Sequence, residues 1–228
     1  MSARTKQQRG RDRRDQLLDC AEDLFFTKGY EAASIQDLMQ AAGVSKGAVY
    51  HHFISKEEVL EAISVRLAEA AAASVANIAS DPSLNAVDKL NCIFQALRSR
   101  KAVEWPRFAG SYEGLFAPGN VALFHRINRA MNQVMTPLFA RVLAEGVTQG
   151  LFRIADPQAV AEMILAVQGA MHPALVEAAA SDGGVSGAAG AALVQTRMAQ
   201  IGIAIDRLLG LTDRTIHFAE ASGNSASL

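Results

Sequence analysis

Residues 34–53 read SIQDLMQAAGVSKGAVYHHF, and the fold turns on this stretch. Ser34 is placed to cap a helix start, with Asp37 three residues later to close a capping box on the orphan amides. Ile35, Leu38, Met39 and Ala42 then recur at helical spacing and give that helix one apolar face. Gly43 ends it, Val44 tucks under the turn, and Ser45 opens a second helix running to about His52. Two short helices about a tight turn form the unit that lays its second helix in the major groove while the first crosses the backbone. The same pattern also suits a corner that only packs, and local spacing alone leaves that open.

The flanking charge favours the first reading. Arg4, Lys6, Arg9, Arg11, Arg13 and Arg14 place six positive charges in the first fourteen residues, opposed there only by Asp12. The whole chain of 228 residues has 22 basic and 23 acidic side chains, so positive charge is localised. Residues 1–56 carry a net +2 and residues 57–228 a net −3. Residues 1–12 read as a disordered basic arm that follows a phosphate backbone or enters a minor groove. A solubilising tail would have the same composition.

Half of the residues are apolar, enough for a sizeable core, and Cys20 and Cys92 lie in apolar helical patterns as thiols of a reducing compartment. Charged or amide residues interrupt every apolar run before it reaches membrane-spanning length, and the first residues are charged where a signal peptide needs an apolar stretch. The expectation is a soluble, cytoplasmic protein.

Period-two alternation is almost absent, and apolar residues recur at three and four. A first helix is expected over 13–28, ended by Gly29. Ser55 and Glu58 form a second capping box, opening a long helix over 56–79. Asp81-Pro82 opens another, to about Val103, with Trp105-Pro106 marking a break. Further helices are expected over 120–146, with Pro137 inside it, from Asp156-Pro157 to a break near Pro173, and over 192–209. Residues 181–190, rich in Gly, Ser and Ala, read as a flexible connection. The fold class is all-α: an N-terminal three-helix helix-turn-helix DNA-binding unit (13–55) joined to a larger helical body (56–210), which the resemblance described next implies to be a ligand-binding and dimerisation domain, with a tail over 211–228.

The stretch AEDLFFTKGYEAASIQDLMQAAGVSKGAVYHHFISKEEVLEAI, residues 21–63, resembles the TetR family of bacterial transcriptional regulators. The resemblance rests on Phe25…Gly29-Tyr30, Ala42-Gly43-Val44-Ser45, Tyr50-His51-His52-Phe53 and Ser55-Lys56-Glu57-Glu58, with weaker support from Gly150-Leu151-Phe152…Asp156-Pro157. Ile54 departs from it, since the family more often has a polar or basic residue there.

The resemblance implies DNA contacts from Ser34, Ser45, Lys46, Gly47, Tyr50, His51 and Lys56. Small residues at Gly47 and Ala48 let the helix seat deeply, Tyr50 and His51 offer donors, and Lys56 offers a point charge for backbone positioning. The set lacks the Arg and Asn of the strongest bidentate readout, so no operator sequence follows. Val44, Val49 and Phe53 read as core.

The resemblance also implies a homodimer on a pseudo-palindromic double-stranded operator, paired through helices over about 157–172 and 192–209. It further implies a small-molecule effector held in the body. Candidates are Trp105, Phe108, Tyr112, Phe116, Phe124, His125, Met131, Met135, Phe139, Met163, Gln168 and His172, aromatic and Met side chains around a few polar groups. The same residues would furnish an ordinary helical core. Glu113, Glu162 and Cys92 stand at no metal-ligand spacing from His125 or His172, and no nucleophile–base pattern occurs. The expected function is therefore a ligand-responsive repressor with no catalytic residues, cofactor, metal or membrane partner. An activator or global regulator of the same fold, or a non-DNA helical interaction protein, remains open.

Overall fold

A computed structural model describes residues 3–112, 121–167, 170–184 and 187–218. The described residues form nine helices and no strand: α1 Ala3–Lys28, α2 Ile35–Ala42, α3 Lys46–Tyr50, α4 Lys56–Ala79, α5 Ala86–Tyr112, α6 Val121–Thr148, α7 Pro157–Val167, α8 Met171–Ala180 and α9 Ala188–Leu209. They divide into two compact units, residues 1–67 with 104–130, and residues 68–103 with 131–228. The boundaries fall inside α4, α5 and α6 rather than at the expected junction near residue 56. The first half of α4 belongs with the N-terminal helices because Val59, Leu60 and Ile63 are buried in that unit.

In the first unit, Leu17, Leu18, Ala21 and Phe25 of α1 are buried, together with Leu38 of α2, Val49 of α3 and Phe53. Gly29, at φ +83, ends α1, and the Tyr30 ring meets Phe25 edge to face at 5.2 Å. Arg66 of α4 pairs with Asp19 (2.6 Å) and with Glu22 of α1. Arg126 of α6 donates to Glu61 of α4 at 2.5 Å, with Ile127 and Ala130 buried nearby in sequence.

The second unit packs around Leu90, Ile93, Phe94, Phe139, Leu143, Ile164 and Ile205. Lys89, 3% exposed, gives its ammonium to both carboxylate oxygens of Glu145, at 2.7 and 2.6 Å, and Gln149 joins Glu145 to the Ala86 amide.

Several expectations are corrected. The segment over 1–12 is not a disordered arm where described: α1 runs back to Ala3, since Arg, Lys and Gln are good helix formers and extend an existing nucleus. Asp81 caps only a turn, through the Ser83 amide; α5 starts later, where Asn85 accepts from Asp88 N and donates to its carboxylate. The backbone stays helical through Pro106, so Trp105-Pro106 marks the unit boundary at 103/104 rather than a helix end.

The helix opened by Asp156-Pro157 stops at Val167, and a separate α8 follows. Pro173 sits in its first turn, where a missing N–H costs little. Residues 188–190 are already helical. Gly190 is there because a Cβ would strike the Gly184 carbonyl, so this glycine allows close packing and not flexibility. The described part of the tail, residues 211–218, packs on the second unit. The buried Asp206 carboxylate accepts from Arg214 N (2.6 Å) and Ile216 N (2.8 Å), Asn91 binds His217 N, and Phe218 packs on Phe94.

Candidate nucleic-acid interface

The helix pair is built as its spacing predicts. Ser34 accepts from the Asp37 amide (3.1 Å), and Asp37 accepts from Ser34 N (2.9 Å), a reciprocal capping box. Lys28 reaches the same carboxylate at 2.7 Å. This ammonium, with the two Ser34 donors, holds the Asp37 carboxyl down at about 2. Gly43 takes the left-handed conformation (φ +61) that closes α2, and nothing crowds a Cβ there, so backbone angle alone asks for glycine.

Ser45 caps α3, accepting from the Ala48 amide at 3.3 Å. Val49 and the following Phe53 are buried and hold α3 to the unit. Its other face carries Lys46, Gly47 and Tyr50, with His51 just beyond, all exposed. The Lys46 ammonium lies 5.6 Å from the Tyr50 ring centroid. A Cβ on Gly47 would meet nothing within 4 Å, so the fold itself does not demand glycine there. The short helix thus presents one cation, one phenol, one imidazole and a flat strip of backbone on a single outward surface.

Lys56 is placed differently from its expected role as a free point charge. Its ammonium donates to the carbonyls of Tyr30 (2.8 Å), Ala33 (3.0 Å) and Glu31 (3.3 Å), and lies 4.3 Å from the Tyr30 ring centroid. All three donors are engaged within the unit, so Lys56 acts as a clamp between the start of α4 and the turn after α1. Ser34, besides capping α2, remains exposed.

Three features were not read from the sequence. Arg14 sits over the Phe53 ring at 5.2 Å, which brings the basic end of α1 to the foot of α3. His52, packed edge to face on His51 at 4.9 Å, is held below the usual imidazole range by burial, then by His51, Arg14 and Arg13. Ile54 is 78% exposed while its amide donates to Glu58 at 2.7 Å in place of the Ser55 amide; Ser55 Oγ still accepts from Glu58 N at 3.2 Å, the other half of the expected α4 capping box. Only tertiary placement shows these; the Arg13-Arg14 pair was visible, its neighbour was not.

The candidate effector residues that are described differ in their exposure. Met135 and Phe139 are buried core, with Phe139 tilted on Phe94 at 5.5 Å. Met131 is half-buried, whereas His125 and Met163 are exposed, Met163 at 51%. Trp105, Phe108 and Tyr112 lie on α5, Phe124 on α6 and His172 on α8, but their side chains lie outside the described residues. Gln168, Glu113 and Phe116 lie outside them altogether. Among the described residues no cluster of His, Cys, Asp or Glu is placed to hold a metal, and no helix is long and apolar enough to cross a membrane.

Residues 17–63 match the model for bacterial regulatory proteins of the tetR family. Among curated relatives, the transcriptional repressor KstR2 of Mycobacterium tuberculosis H37Rv is 33% identical over 92 residues, covering 40% of this chain and 44% of that one. KstR2 of Rhodococcus jostii is 45% identical over 51 residues, 22% and 25% of the two chains. The regulator UidR of Escherichia coli K12 is 37% identical over 60 residues, 26% and 31%. The chain therefore matches less than half the length of each. Two solved structures share the fold more widely. RolR in complex with resorcinol gives a TM-score of 0.65 at 17% identity over 96% of this chain and 99% of that one. A TetR-family regulator from Pectobacterium atrosepticum gives 0.64 at 23% identity over 90% and 98%. Residues 17–63 therefore carry the helix-turn-helix of the tetR family of bacterial regulatory proteins, and the all-α fold of the chain is shared with RolR and with the Pectobacterium atrosepticum regulator.

Proposed function

We propose that the chain is a transcriptional repressor that binds a pseudo-palindromic DNA operator as a homodimer and releases it when a small, largely apolar effector binds. The outward face of α3 carries the reading: Lys46, Gly47 and Tyr50 are exposed while Val49 anchors the same helix to the unit. A two-fold dimer would set two such helices about 34 Å apart, one duplex turn. The exposed Met163 of α7, and a groove lined by Val167, Ile203, Ala204 and Leu208 with Gln200 and Arg207 beside them, give the second unit a mixed surface on which a second copy could pack.

The switching part of the proposal draws on the first unit alone. Residues 104–130 belong to that unit, and Trp105, Phe108 and Tyr112 share one face of α5 by register. Arg126, in the same segment, is tied to Glu61 of α4. A ligand that displaces this segment would pull on α4, whose first turn is clamped to the helix-turn-helix through Lys56. It releases DNA only by the difference in its affinity for the bound and free shapes.

The test is a footprint on the DNA upstream of the chain's own gene at rising salt. Two protected half-sites one turn apart, weakening with salt, are expected. Salt-insensitive binding, or no protected segment there or elsewhere in the genome, would overturn the reading.

A further inference from the structure

The outward side of α2 carries chemistry that the proposed function leaves unused. Leu38 and Ala42 are buried, while Gln36, Gln40 and Gly43 are exposed and Met39 is half-buried. Spacings of four and seven put positions 36, 40 and 43 on one side of the helix. With Met39 and Val44 they line an open depression of about 350 Å³. Val44 leads directly into Ser45, the cap of α3, so the depression borders the start of that helix. Neither glutamine carboxamide has a hydrogen-bond partner among the described residues. The ends of α2 are already closed by Ser34, Asp37 and Gly43, so the helix itself asks nothing of these two side chains.

The lining identifies what fits. It holds no charged side chain, so a phosphate meets no counter-charge there. A carboxamide instead sets a donor and an acceptor side by side in one plane, an arrangement that the lysine, phenol and imidazole beside α3 lack. That pair matches adenine, whose N7 accepts and whose N6 amino group donates in the major groove. The thymine opposite turns its methyl group into the same groove, and a thioether packs well on such a group. A G·C pair has acceptors at both N7 and O6 and no methyl. Two carboxamides around a methionine are therefore complementary to an A·T pair.

We infer that Gln36, Met39 and Gln40 form a second base-reading surface, which selects an A·T pair beside the bases under α3 in each half-site. The inference rests on α3 lying in the major groove, as the proposed function has it.

The test measures the affinity of the full chain for its footprinted DNA with each base pair of the half-site substituted in turn, and repeats the series with variants. Gln36→Met and Gln40→Met keep side-chain length and helix propensity but remove donor and acceptor. Gln36→Glu and Gln40→Glu keep only acceptors, which suits the cytosine amino group. The variants change exposed positions, so circular dichroism should show the parent's helix content in each. The parent is expected to lose about tenfold or more when one A·T pair next to the α3 bases becomes G·C, as for one bidentate contact. A methionine variant should bind both duplexes alike at that pair and keep the parent's preferences elsewhere. The matching glutamate variant should prefer cytosine there. Replacing the thymine of that pair by uracil removes one methyl and should cost the parent about fourfold, with no cost to Met39→Ala.

Unchanged preferences at every pair in all the glutamine variants would overturn the inference. So would a loss spread evenly over every sequence, random duplex included, because that is the mark of a backbone contact. If the parent chain itself prefers no duplex, the proposed function fails and the inference with it, a result distinct from the other two.

Discussion

Replacing Lys56 separates a structural from a DNA-contacting lysine more sharply than any other single change. Lys56→Met keeps the aliphatic stem and removes an ammonium bonded to three carbonyls and stacked near Tyr30. The Tyr30 and Ala33 bonds are part-buried, while Glu31 is exposed and its carbonyl can recover water. Charge-assisted bonds are worth about 1.5–3 kcal/mol singly, and sharing one cation lowers the sum. With about 0.5 kcal/mol for the ring and some return from the methionine stem, the loss should be about 2–3 kcal/mol. For a chain of this size that is roughly 5–10 °C in Tm. Arginine should not rescue, because its planar fork cannot point at three converging carbonyls. The assay is thermal and urea unfolding by circular dichroism, beside DNA titration at several salt concentrations. Lys46→Met, exposed and bonded to nothing buried, should shift stability by no more than about 0.5 kcal/mol but reduce the salt slope by about 0.9. If Lys56→Met unfolds like the parent chain and instead reduces the salt slope, its ammonium serves phosphate and the clamp assignment is wrong.

Gly47→Ala should be neutral or stabilising, by up to about 1 kcal/mol, because the site is helical and open. It should nonetheless weaken operator binding tenfold or more, about 1.4 kcal/mol, by holding α3 off the base edges; unchanged affinity would show that the helix does not seat closely. Asp37 has a folded pKa of about 2, below its ordinary 3.8, so its stabilising effect is full above the ordinary value and is lost as pH falls towards 2. Asp37→Asn should flatten that part of an acid-unfolding curve and lower the plateau; an unaltered curve would contradict it. In the second unit, Glu145→Gln leaves the buried Lys89 ammonium without its counter-charge and should cost about 3 kcal/mol, whereas the double change Lys89→Met with Glu145→Leu should recover most of it. Equal losses in both would mean that the pair does not act as one unit.

The DNA-binding end of the chain was legible because its information is local. A cap, a capping box, a left-handed glycine and a second cap fixed α2 and α3 within a few residues, and the periodic apolar positions named the anchors Leu38, Val49 and Phe53. The start of α4 followed for the same reason. Errors came where a local signal competed with a distant one. Asp81-Pro82 looks like a helix start, but Asn85 with Asp88 makes the better cap four residues on. Trp105-Pro106 looks like a helix end and proves to lie beside a division between packed units. Lys56 looked solvent-directed because nothing in its own neighbourhood reveals three carbonyls presented from residues 30–33. The order of residues 211–218 depends on Asp206 and Asn91, and in sequence neither differs from any other polar residue on a helix.

The recognition surface can be tested directly by placing a photo-crosslinking tyrosine analogue at position 50 and irradiating the dimer on its footprinted DNA. Crosslinks should map to bases in the major groove of both half-sites, and the same analogue at Gln195, exposed on α9, should give none. No base adducts from position 50, with protection of the DNA intact, would mean that some other surface holds the duplex.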